Sequence, residues 1–156
     1  MGVGMACGSY TTPAPSQQHL PDILMARALF VVDSIAVAEP AMAHGVVVCG
    51  SHGGVSAARY VLALADKPLA VFFNDAGVGK DEAGIVGLAM LQQVGVIAAA
   101  YAHRSARIGE AADGLAHGVI SYVNALGAQA GLAAGQTVRE QVARLRQMEV
   151  VIDETE

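Results

Sequence analysis

Basic charge, aromatic residues and cysteine are all scarce in this chain of 156 residues. Lysine and arginine total 9 against 14 acidic residues, for a formal net charge of −5. That balance argues against a general nucleic-acid binder, which needs a basic face to displace counterions. The few basic residues are scattered, and no polybasic run suits an anionic membrane surface. Charged residues make up only 15% of the chain, against roughly a quarter in soluble proteins generally. Long apolar runs are missing too. Leu69–Phe73 stops at Asn74-Asp75 and Val94–Ala102 stops at His103-Arg104, both too short to span a bilayer. The N-terminus has neither the basic n-region nor the long h-region of a signal peptide. Met1-Gly2 opens like a myristoylation site, but Ala6 stands where Ser or Thr is expected. The expected location is therefore the cytoplasm. There the two cysteines, Cys7 and Cys49, are not expected to form a structural disulfide.

What is present is small and aliphatic. Hydrophobic residues reach 54%, aromatics only 4%, and there are 18 glycines. Disorder needs the opposite composition. Residues 1–21, rich in Gly, Ser, Thr, Pro and Gln, read as a leader. Residues 22–148 read as a single α/β domain and 149–156 as an acidic tail. Ala28–Val37 and Val46–Cys49 read as strands too close in sequence for a parallel crossover. After them, strands at Leu69–Asn74 and Val96–Ala102 alternate with helices at Ser56–Ala65, Asp81–Val94 and Glu110–Gly127. Such alternation predicts βαβ units and a parallel sheet. A last helix, Val138–Met148, opens with a capping box from Thr137 and Glu140. The expected fold is a small three-layer α/β sandwich, its sheet mostly parallel, with an antiparallel or edge strand at the N-terminus. The helices at Asp81–Val94 and Glu110–Gly127 lack a polar back, and Gly114 and Gly118 permit close helix contact, so a homo-oligomer is expected.

Open parallel sheets bind ligands beyond the carboxyl ends of their strands. Three polar, glycine-bearing loops follow apolar strands here. The first is Cys49-Gly50-Ser51-His52-Gly53-Gly54. It fits neither the dinucleotide fingerprint nor the nucleophile elbow, but its amides suit an anion. Ser51 and His52 are neighbours, so on extended backbone they point apart and make no dyad with each other. The second runs Asn74-Asp75-Ala76-Gly77-Val78-Gly79-Lys80-Asp81. It is not a phosphate loop, because Asp81 stands where Ser or Thr should hold magnesium. The third runs His103-Arg104-Ser105-Ala106-Arg107-Ile108-Gly109, and Arg107 or Arg104 suits a carboxylate or phosphate. His117, Ser121 and Asn124 share one face of the expected long helix and read as its solvent side.

The leading expectation is an enzyme of the hydrolase or lyase class acting on a small anionic metabolite. Ser51, His52, Asp75 and His103 are the candidate catalytic residues, the last two as general acid or base. Gly53, Gly54, Asn74, Lys80, Ser105 and Arg107 are the candidate substrate-binding residues. His52, Asp75 and His103 end three successive strand regions, but no closely spaced ligand pair exists in the sequence, so neither a metal nor another cofactor is expected. Nucleic acid and membrane are not expected partners. Two other readings use the same residues: a non-catalytic nucleotide- or metabolite-binding regulatory module, and an assembly subunit that docks through its apolar helices.

Overall fold

A computed structural model describes residues 26–148. The leader assigned to 1–21 and the tail assigned to 149–156 lie outside the described residues. The fold is α/β, built on one five-stranded sheet. Its strands are β1 (Leu29–Val32), β2 (Val46–His52), β3 (Ala70–Asn74), β4 (Ile97–Tyr101) and β5 (Ile120–Val123), side by side in chain order. The first four run parallel, and β5 is antiparallel to β4.

Because each parallel step moves the same way across the sheet, right-handed crossovers must stack their helices on one face. Accordingly α1 (Val55–Leu62) and α2 (Gly87–Gln92) pack on each other there. The opposite face carries α3 (Ala111–His117) and α5 (Val138–Arg146), while α4 (Ala125–Gln129) follows β5. Successive strand residues alternate between the faces. Val47, Cys49, Val71, Phe73, Ala98 and Ala100 meet α1 and α2 through Ala58, Val61, Leu88 and Leu91. Val46, Val48, Ala70, Phe72, Ala99 and Tyr101 meet Val138, Val142 and Leu145 of α5. Both faces are covered, which is why the inner strands are apolar throughout. The Thr137 hydroxyl accepts from the Glu140 amide at the start of α5, as the capping pattern predicts.

Three expectations about the elements need correction. The first strand is an edge strand, but it pairs parallel with β2. It ends at Val32, much earlier than expected, because the Ser34 hydroxyl turns the chain by accepting from the Ala36 amide. Residues 33–45, with 3-10 turns at Ile35–Val37 and Pro40–Met42, then suffice for a crossover without a full helix. The helix expected over 81–94 shrinks to Gly87–Gln92, because Asp81 and Glu82 adopt left-handed backbone at φ 56° and 58°. The helix expected over 110–127 is α3, then β5, then α4. Gly118 leaves α3 in extended conformation, and Val119, Ile120, Tyr122 and Val123 prefer a strand. Spacing of the apolar residues alone mimics a helix there. His117, Ser121 and Asn124 therefore share no face. Gly114 and Gly118 serve the chain itself: a Cβ at Gly114 would lie 2.6 Å from the Tyr101 ring beneath it. Among the described residues no helix is long and apolar enough to cross a membrane.

Candidate functional site

The three polar loops leave the same edge of the sheet. His52 is in register with Asn74, and Asn74 with Tyr101, so β2, β3 and β4 end side by side. The third loop does not stay over its own strand. It must travel from β4 to α3, which packs over β1 and β2. Three hydrogen bonds mark the route. The Asn74 side-chain amide donates to the Ala106 carbonyl at 3.0 Å, the Gly109 amide donates to the Gly50 carbonyl at 2.8 Å, and the Ala111 amide donates to the Asp33 carboxylate at 3.0 Å. The loop thus crosses the ends of β3, β2 and β1 in turn.

Asp75 is the centre of this edge. It follows the last residue of β3 and is only 4% exposed. Its Oδ1 accepts from the Gly77 amide at 2.8 Å, the His103 amide at 3.0 Å and His103 Nδ1 at 3.3 Å. Its Oδ2 accepts from the Ser121 hydroxyl at 2.7 Å. Burial by itself pushes this carboxyl's pKa up, but these hydrogen bonds outweigh it and hold the pKa below the ordinary aspartate value. Asp75 is therefore a carboxylate at neutral pH. The His103 side chain is 48% exposed, so one ring nitrogen meets Asp75 and the other is left for solvent or ligand. A carboxylate at Nδ1 favours the tautomer with the proton on Nδ1 and the lone pair on Nε2.

His103 opens onto a cleft of about 470 Å³, lined also by Ala76, Arg107, Ile108 and Glu110. The Arg107 side chain is 79% exposed and lies 3.8 Å from Glu110, a surface pair weak enough to exchange for a ligand. The backbone around it is fixed, since the Arg107 amide donates to Asp113 at 2.8 Å. Beside the cleft the second loop is strained. Ala76, Val78, Asp81 and Glu82 all have positive φ, between 51° and 67°, with Gly77 and Gly79 among them. Each such residue costs on the order of 1–3 kcal/mol, and strain of this kind gathers at functional sites. The loop is not an open phosphate cradle. Its amides at 76, 77, 78 and 79 are already bonded to Asn74 Oδ1, Asp75 Oδ1, the Asp75 carbonyl and the Gly77 carbonyl.

The other expected site residues take supporting places. Ser51 accepts from the Ile35 amide at 3.0 Å and so ties β2 to the first crossover. His52 folds its ring over Gly54, where a Cβ would come within 2.8 Å of it. Gly53 and Gly54 let the loop pack against the chain entering α2, whose Gly87 amide donates to the Gly53 carbonyl at 2.8 Å. Asn74 is fully buried and braces the second and third loops. Ser105 donates to the Ala102 carbonyl and accepts from the Val119 amide. Lys80 is exposed and does not line the cleft. Of the expected residues, Asp75 and His103 are in contact, and Arg107 shares the cleft with His103. Ser121, expected on the solvent side of a helix, instead touches Asp75 from β5; the β-branched residues around it are the signal for a strand. Among the described residues no group of three or more His, Cys, Asp or Glu side chains is placed to hold a metal ion.

No family model, no curated protein and no solved structure matches this chain.

Proposed function

We propose that the chain is an enzyme of the hydrolase or lyase class that acts on a small anionic metabolite in the cleft beside His103. The observation that carries this reading is the buried Asp75 carboxylate at Nδ1 of a half-exposed histidine. His103 Nε2 is the general base: it takes a proton from water in a hydrolysis, or from carbon in an elimination, and returns it to the leaving group. Asp75 keeps the tautomer and stabilises the imidazolium while it lasts. Arg107 binds the substrate's carboxylate or phosphate. Ser51, His52 and Lys80 have no step in this scheme; Asn74, Ser105, Gly53 and Gly54 hold the loops in place.

The test is a turnover screen of nitrophenyl carboxylate and phosphate esters and of 2-hydroxy acids, with His103→Ala and Arg107→Ala beside the parent. The expected result is turnover that His103→Ala reduces by about 10²–10⁴-fold, the usual contribution of a general base. Turnover unchanged in His103→Ala, or none with any substrate of these classes, overturns the reading.

We also propose that the protein is a cytoplasmic homo-oligomer. In support, Val86 and Tyr122 are exposed and line a cleft of about 320 Å³ with Ile85 and Ala89, between α2 and β5. Light scattering at micromolar concentration decides between an assembly and a monomer.

A further inference from the structure

The Ser121 hydroxyl has a choice of partners. It lies 2.7 Å from Asp75 Oδ2 and 3.3 Å from the Ala100 carbonyl, and it has one proton to give. A hydrogen bond to a carboxylate is roughly twice as strong as one to a neutral acceptor, so the proton belongs to Asp75 while that group is ionised. Ser121 stands on β5, which runs antiparallel to β4, and meets the carboxylate oxygen that His103 does not. The carboxylate is thus held at both oxygens: Oδ2 by Ser121, Oδ1 by the Gly77 and His103 amides.

We propose that Ser121 is the positioning residue of the Asp75–His103 pair, pinning Oδ2 so that Oδ1 stays in line with His103 Nδ1 and the ring keeps Nε2 unprotonated. Ser121 is not placed as a nucleophile here, since its hydroxyl bonds the Asp75 carboxylate and it does not line the cleft beside His103. Without its hydroxyl Oδ2 has no donor among the described residues, and the contacts at Oδ1 alone are left to set the tilt of the carboxylate against His103 Nδ1. The preference of the ring for a proton on Nδ1 weakens with it. The inference rests on the proposed acid–base role of His103 for its functional meaning, but not for its test.

The test reads the imidazole directly. In protein labelled with nitrogen-15 at histidine, the ring shifts at alkaline pH give the ratio of the two neutral tautomers. The parent is expected to favour the Nδ1-protonated form. Ser121→Ala is expected to lower that ratio several-fold, and Ser121→Thr, which keeps the hydroxyl, to restore it. Asp75→Ala, which removes the acceptor at Nδ1 altogether, serves as the control that abolishes the preference. If Ser121→Ala does not fold, Ser121→Cys carries the measurement, because a thiol is a weak donor and the ratio should still fall. An unchanged ratio in a folded Ser121→Ala or Ser121→Cys, with Asp75→Ala altering it, overturns the positioning role and leaves the enzyme reading standing. A shifted ratio with no turnover in the substrate screen supports the positioning role and overturns the enzyme reading instead.

Discussion

Gly50 lies directly beneath Gly109: a Cβ added at Gly50 would stand 2.6 Å from the Gly109 carbonyl carbon, 2.7 Å from the Asp33 carbonyl oxygen and 2.8 Å from the Glu110 amide. All three atoms are backbone, so no side chain can swing aside. The crossing of the third loop over β2 thus depends on a missing methyl group. Gly50→Ala should lift that loop and cost about 1–3 kcal/mol, the usual range for overpacking. Urea unfolding measures it. The same variant should bind small anions more weakly, since Arg107 rides on the displaced segment. An unchanged urea midpoint would mean that the loop passes elsewhere.

Asp75 should govern the acid limb of stability. Its folded pKa is depressed below the unfolded value, because the hydrogen bonds from Gly77, Ser121 and His103 outweigh the effect of burial. A depressed carboxylate contributes stability above the unfolded pKa, and that contribution disappears as pH falls through the folded one. The window is therefore below about pH 4, the ordinary aspartate value. Asp75→Asn should be less stable than the parent at neutral pH by about 1–3 kcal/mol, from the imperfectly matched buried network. The difference should narrow on acidification. Parallel stability curves from neutral to acid pH would show that Asp75 is not ionised in the folded state.

Much of this edge was legible in the residues. Asp75 and His103 stand at the ends of apolar strands, with Arg107 further along the third loop, and parallel strands bring such loops together. Their partners were harder to find. Ser121 reaches Asp75 only because the chain returns antiparallel beside β4, and the apolar spacing from Leu115 to Leu126 fits a helix as well as it fits a strand. The placement of Asp33 under the start of α3 depends on a loop that crosses three strands, and nothing local in 103–110 encodes that path. The roles of Gly53 and Gly54 were ambiguous for a related reason. A glycine that admits an anion and one that admits a neighbouring backbone look the same until the neighbour is known.

Val78 should tolerate replacement by glycine. Its φ is 67°, a left-handed conformation that a β-branched residue adopts only under constraint. Two hydrogen bonds supply that constraint: its amide donates to the Asp75 carbonyl, and its carbonyl accepts from the Gly84 amide, each at 2.7 Å. Glycine relieves about 1–2 kcal/mol of steric cost. It adds about 0.5–1 kcal/mol of unfolded-chain entropy. The two nearly cancel, so Val78→Gly should leave the melting temperature unchanged or slightly raised. Val78→Pro, which fixes φ near −65° and removes the amide donor, should cost about 3 kcal/mol or more. A melting temperature that falls sharply in both variants would contradict the left-handed assignment.

Cys49 should be inert in the folded protein. It lies in the middle of β2, fully buried against Val71 and Phe73, and its thiol lies 3.4 Å from the Phe72 carbonyl oxygen. Burial pushes its pKa up to about 12, with only a small opposing effect from the Ser51 amide. The thiol is therefore held protonated at ordinary pH, and the thiolate is the reactive form. A nucleophilic role would require the opposite: exposure and a lowered pKa. Iodoacetamide should therefore label Cys49 only through unfolding, at a rate that rises with urea. Peptide mass spectrometry separates this site from Cys7. Cys49→Ala should lose about 1–2 kcal/mol of packing and leave any turnover unchanged, because the thiol faces the α1 and α2 layer and not the cleft beside His103. Rapid labelling in native buffer, insensitive to urea, would place Cys49 outside the core and reopen its chemistry.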